Sequence, residues 1–116
     1  MPYRLSDAAD RDVDGILWET VRRFGPRQRQ RYAGLINAAI GLIAEAPERP
    51  GSRPRDELGP GTRSFHIERA AQRRGATAHV LFYRIEQQHA EESADILVLR
   101  VLHERMDPAR YIGDET

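Results

Sequence analysis

The side chains able to do chemistry in this 116-residue chain are of few kinds. All 18 basic residues are arginine, cysteine is absent, and four histidines and four tyrosines complete the set. Without cysteine there is neither a disulfide framework nor a thiolate metal site. The histidines (His66, His79, His89 and His103) form no i,i+4 pair and have no acid at metal-ligand spacing, so neither a metal nor another cofactor is expected. Gly59-Pro60-Gly61 is turn chemistry rather than a phosphate-binding loop, because no helix start follows it. The arginines are unevenly spread. Residues 22–74 carry twelve arginines against five acids, whereas 1–21 carry two against five and 75–116 carry four against eight. The formal net charge is zero, yet the middle of the chain is a basic belt suited to an acidic protein or a nucleic-acid backbone.

These residues must be positioned by one compact domain, the size a chain of this length supports. A content of 40% hydrophobic and 31% charged residues excludes a wholly disordered chain. No apolar run approaches a membrane span and no signal-peptide pattern opens the chain, so a soluble, cytoplasmic protein without membrane contact is expected, with 113–116 as a disordered tail.

Tyr3-Arg4-Leu5 alternates as a short strand and ends at Ser6, a preferred helix cap followed by early acids. Ala9, Val13, Ile16, Leu17, Val21 and Phe24 then form one helical stripe, ended by Gly25, with Pro26 able to start a second helix. Tyr32, Leu35, Ile36, Ala39, Ile43 and Ala46 are the second stripe, closed by Pro47. The spacing predicts helices over 7–24 and 27–46 in an antiparallel hairpin. After a proline- and glycine-rich loop come three predicted strands, Thr62–Arg69, Ala78–Glu86 and Asp95–Glu104, joined by polar loops at Ala71–Thr77 and Gln87–Ala94. The last two strands are apolar on both faces and belong in the centre of a sheet. The fold class is α+β in two layers, a helix hairpin on a four-stranded antiparallel sheet in the order β-α-α-β-β-β.

Three stretches go beyond generic patterning. They are Arg53-Pro54-Arg55-Asp56-Glu57-Leu58 with Pro60-Gly61 and Arg63-Ser64-Phe65; His79-Val80-Leu81-Phe82-Tyr83-Arg84; and Val101-Leu102-His103-Glu104-Arg105-Met106-Asp107-Pro108-Ala109-Arg110. In this order, behind a helix hairpin, they resemble the ParE toxins of bacterial toxin–antitoxin pairs, within the RelE/ParE superfamily, over residues 3–112. The resemblance implies a small sheet on a helical hairpin with the first strand beside the last. The chain departs from the family pattern at Trp18, where a polar residue is usual, at Glu19, where an aromatic is common, and in a longer hairpin over 69–78.

The resemblance implies a toxin that binds and poisons DNA gyrase and is neutralised by a ParD-like antitoxin. RelE-like relatives instead cut messenger RNA on the ribosome, and a degenerate member could bind antitoxin without toxicity. RNA cleavage through the 2′-hydroxyl needs a base, an acid and cations at the phosphorane. Its candidates here are Arg63, Arg84, Arg100, His103 and Tyr111; Arg84 and Arg100 are expected on the sheet face away from the helices. No acid–base pair stands out and lysine is absent, which favours a non-catalytic toxin. Arg69, Arg73, Arg74, Arg105 and Arg110 are the candidate target contacts. A two-helix layer covers one sheet face, so apolar surface is expected on the other and beside the hairpin, where a partner would bind. Trp18 lies roughly 140° around its helix from Val13, and Gly34, Ala38 and Gly41 form a small-residue strip off the second stripe. These four are the candidate antitoxin contacts.

Overall fold

A computed structural model describes residues 1–71, 73–87 and 94–113. The expected disordered tail begins at Gly113, and its remainder, 114–116, lies outside the described residues, as does 88–93 of the expected loop. Strand β1 (Tyr3–Leu5) enters helix α1 (Asp7–Phe24) through Ser6. The Ser6 hydroxyl accepts the Ala9 N–H at 3.0 Å, capping the helix, and donates to the Leu99 carbonyl at 2.8 Å, tying the cap to the sheet. Gly25 holds φ at 88°, a left-handed value that favours glycine, and Pro26 opens α2 (Pro26–Glu45). Both helices fall within one residue of the predicted spans.

The chain continues through β2 (Arg53–Pro54), a 3₁₀ turn at Asp56–Leu58, β3 (Arg63–His66), a single-turn helix α3 (Glu68–Ala71), β4 (His79–Gln87) and β5 (Ala94–His103). A second 3₁₀ turn, Pro108–Arg110, follows. The sheet order is β1-β5-β4-β3-β2, so β4 and β5 are central, as their two-sided apolarity predicts. The sheet departs from the expected one in two ways. Arg53–Pro54 adds a fifth, two-residue strand at the edge, where proline costs no ladder bond. The sheet is also mixed, because β1 pairs parallel to β5, Tyr3 facing Ile96 and Leu5 facing Val98. Some ninety residues separate these strands, so no tight turn forces them antiparallel. The strand expected over 62–69 stops at His66, where the chain turns into α3.

Two cores flank the sheet. On the helix side Ile36, Ile40 and Ile43 of α2 pack with Leu17 of α1 on Leu81, Tyr83, Ile96 and Val98. On the other side Phe82, Leu97, Leu99 and Leu102 are covered by Leu58, Met106 and Ile112, from the 3₁₀ turn before β3 and the segment after β5. The expected open apolar face is therefore closed by its own loops, with Phe82 and Leu102 at most 3% exposed.

The β4–β5 ladder shifts register between Phe82 and Tyr83, which face Arg100 and Val98. Leu99 is the extra residue, a β-bulge. Val98 lies in the helix-side core, and the bulge resets the alternation, so that Arg100 faces Phe82 on the side away from the helices, as expected. Beyond β1, groups from the start of α1 finish the edge of β5. Ser6 donates twice, to the Val98 carbonyl from its N–H and to the Leu99 carbonyl from its hydroxyl, and the Asp12 carboxylate receives the Val101 N–H at 2.9 Å.

Candidate functional site

The five candidates for RNA cleavage do not form one site. Arg100 is held in a two-pronged ion pair with Asp12, at 2.7 and 2.8 Å, and also donates to the Tyr111 carbonyl at 3.2 Å. Its guanidinium stands 5.5 Å from the centre of the Tyr111 ring, so this pair does meet. Arg84 donates to Glu86 at 2.6 and 3.0 Å. Arg63 faces Tyr83 on the neighbouring strand and donates to the Ser52 hydroxyl at 2.7 Å, with Glu48 at 3.7 Å. His103 faces His79, five positions along β4 from Arg84, or about 16 Å at strand rise. Three cations are thus engaged by neighbouring groups of the chain, at separate places.

The fold gathers histidines that look scattered in the sequence. His66 ends β3, His79 begins β4 and His103 ends β5, so cross-strand register brings them to one end of the sheet. The His79 and His103 rings meet edge to face with centres 5.4 Å apart. Tyr32 of α2 reaches down to hydrogen-bond His79 Nδ1. His66 Nδ1 accepts the Glu68 N–H at 3.2 Å, which leaves Nε2 to donate to Glu104 at 2.8 Å. Burial, with His103 and His66 adding to it, pushes His79 down to about 4 and so keeps its imidazole neutral. The His66 hydrogen bond lowers Glu104, and burial raises Tyr32. Among the described residues no group of three or more His, Cys, Asp or Glu side chains could hold a metal ion.

Together these residues wall a cleft of about 890 Å³ between the turn end of the helix hairpin and the sheet. Ile16, Thr20 and Phe24 of α1 form its other wall. Phe24, expected on the core stripe, is 69% exposed in the last turn of α1.

The candidate partner contacts all lie on the surface. Trp18 is 65% exposed, and Gly34, Ala38 and Gly41 are exposed along α2. A Cβ added at Gly34 or Gly41 would meet nothing within 4 Å, so the strip does not pack inside the hairpin. Arg69, Arg73 and Arg74 share a depression of about 340 Å³ with Glu68. The Arg69 side chain lies across Gly51, where a Cβ would come within 2.4 Å of its Cδ. Arg105 is exposed in the turn after β5, and Arg110 in the second 3₁₀ turn. The family model for the ParE toxin of the type II toxin–antitoxin system parDE matches residues 3–108. The chain belongs to the ParE toxin family.

Among ParE relatives, Toxin ParE1 of Caulobacter vibrioides is 30% identical over 112 residues, covering 97% of this chain and 98% of that one. Toxin ParE1 of Mycobacterium tuberculosis is 36% identical over 110 residues, covering 95% and 96%. The chromosomal ParDE system of P. aeruginosa contains a chain of the same fold, with a TM-score of 0.67 at 17% identity over 89% of this chain and 95% of that one. The RelBE2 toxin–antitoxin complex of M. tuberculosis contains one with a TM-score of 0.51 at 27% identity, over 88% and 95%. This ParE-family chain is a toxin of a type II toxin–antitoxin system. Its histidine cleft escaped the sequence reading because the three residues are 13 and 24 positions apart in the chain. The one available signal was that His79 and His103 stand near the outer ends of two predicted strands joined as a hairpin.

Proposed function

We propose that this toxin acts in the cytoplasm by binding DNA gyrase and stalling it on cleaved DNA, without making or breaking bonds itself, and that a ParD-like antitoxin neutralises it. The observation that carries the reading is the fate of the arginines. Arg63, Arg84 and Arg100 are engaged by neighbouring groups and stand apart, whereas Arg73, Arg74, Arg105 and Arg110 are exposed and make no ion pair among the described residues. The first group stabilises the fold; the second is free to meet a target as long-range, salt-sensitive attraction. The antitoxin contact is assigned to Trp18 with Gly34, Ala38 and Gly41, where absent side chains let another helix approach closely.

The test combines purified toxin with gyrase and supercoiled or relaxed plasmid, beside ribosomes programmed with messenger RNA. Loss of supercoiling with accumulation of cleaved DNA is expected, weakened in Arg73→Glu/Arg74→Glu and little changed in His103→Ala. Messenger RNA cleavage with gyrase unaffected would replace this reading with the ribosome-dependent endonuclease that the RelBE2 likeness keeps as the second one.

A further inference from the structure

The histidine cleft and the arginine depression are contiguous, since Glu68 and Arg74 line both. On the cleft side are flat rings, Phe24, Tyr32 and His103, beside alanines at 76 and 78. On the other side are Arg69, Arg73 and Arg74, which have no ion pair among the described residues. The acids nearby are engaged: Glu104 with His66, Glu19 with Arg22 and Arg23, and Glu68 with the Gly75 N–H at 2.8 Å. A flat heteroaromatic ring followed by phosphates suits both features at once.

We propose that this composite site binds single-stranded nucleic acid, with a base against Phe24 and Tyr32 and the flanking phosphates on Arg73 and Arg74. Base stacking supplies sequence-tolerant affinity and the arginines supply salt-dependent attraction. None of Trp18, Gly34, Ala38 and Gly41 lines the cleft or the depression, so the site is distinct from the contacts assigned to the antitoxin. It says what the exposed arginines touch on a gyrase–DNA complex, and it stands or falls without gyrase.

The experiment is fluorescence anisotropy of a short fluorescein-labelled oligothymidine with the purified full chain and no gyrase. Saturable binding is expected, with the same sequence as a duplex bound more weakly. Phe24→Ala, at a position too exposed to disturb folding, should weaken the single strand by roughly tenfold. Arg73→Gln/Arg74→Gln should flatten the slope of log affinity against log salt by about 1.4, two phosphate contacts at about 0.7 each. Arg29→Gln/Arg31→Gln, on the exposed face of α2, should change affinity far less. Absence of saturable binding at low salt, equal affinity for duplex, or indifference to Phe24→Ala would overturn the proposal. Gyrase inhibition without oligonucleotide binding would overturn it too, while leaving the proposed target intact.

Discussion

Acidification should destabilise this protein through His79 before its carboxylates protonate. In the unfolded chain His79 titrates near 6.5, and in the fold it is pushed to about 4, chiefly by burial. A base whose folded value is depressed contributes its stability above 6.5, and loses it as pH falls toward 4, because the unfolded chain then binds the proton more readily. The full shift of 2.5 pH units corresponds to about 3.4 kcal/mol at 1.36 kcal/mol per unit. Only part is lost by pH 5, about 2 kcal/mol, and water reaching the half-open ring reduces that to between about 1 and 2. Tyr32 from α2 and His103 from β5 touch the ring, while His66 from β3, Glu104 after β5 and Asp12 from α1 act on it through their charges. Glu104, held low by its His66 hydrogen bond, loses its own contribution as pH falls from the ordinary carboxylate value of 4.5 downward, outside the pH 5 to 7.5 window. The assay is urea unfolding at constant ionic strength across that window, for the wild type and for His79→Asn, whose amide can still bond Tyr32. The wild type should lose about 1–2 kcal/mol more than the variant between pH 7.5 and 5. Equal losses in the two proteins would refute the assignment to His79.

Asp12→Ala removes three bonds, two to Arg100 and one to the Val101 N–H, and takes the paired carboxylate from a mostly buried guanidinium. It should cost about 3 kcal/mol by chemical denaturation, and a loss below about 1 kcal/mol would mean that water replaces the carboxylate. Leu58→Ala opens a cavity over Phe82 and Leu97 in the second core and should cost about 2–4 kcal/mol in the same measurement, whereas an uncovered sheet face would hardly register the change.

The parts of this fold legible in the sequence are those set by local periodicity. Leu17, Ile36 and Ile43 fall on helical stripes, Ser6 and Gly25 punctuate them, and β4 and β5 carry apolar residues on both parities. What escaped reading depends on register between distant segments. The bulge at Leu99 puts Arg100 on one sheet face with Phe82 although Val98 faces the helices, and nothing in residues 94–103 marks it. The parallel partnership of β1 and β5 follows from where the hairpin returns the chain, not from either strand. Leu58 and Ile112 sit in segments dominated by turn residues, so their role as a lid on the second core has no periodic signature. The surface positions fared differently: Trp18 and the glycines were placed off the stripes by angle alone, and they are exposed.

Strand β5 touches β1, α1 and β4 and contributes to both cores, although it is the last strand in chain order. During synthesis, the N-terminal strand and the helix hairpin therefore emerge long before the surface they must cover. Until residues 94–103 are made, β1 has no ladder, Asp12 has no arginine, and the apolar stripes of the hairpin lack half of their sheet. Closing a loop of some ninety residues carries an entropic cost that only the assembled sheet repays. Translation of a toxin built this way yields an inert polypeptide for most of its length, and the fold appears only as the final strand is released. A stop codon anywhere before β5 silences it completely, and a second protein present at that moment meets the hairpin while it is still uncommitted.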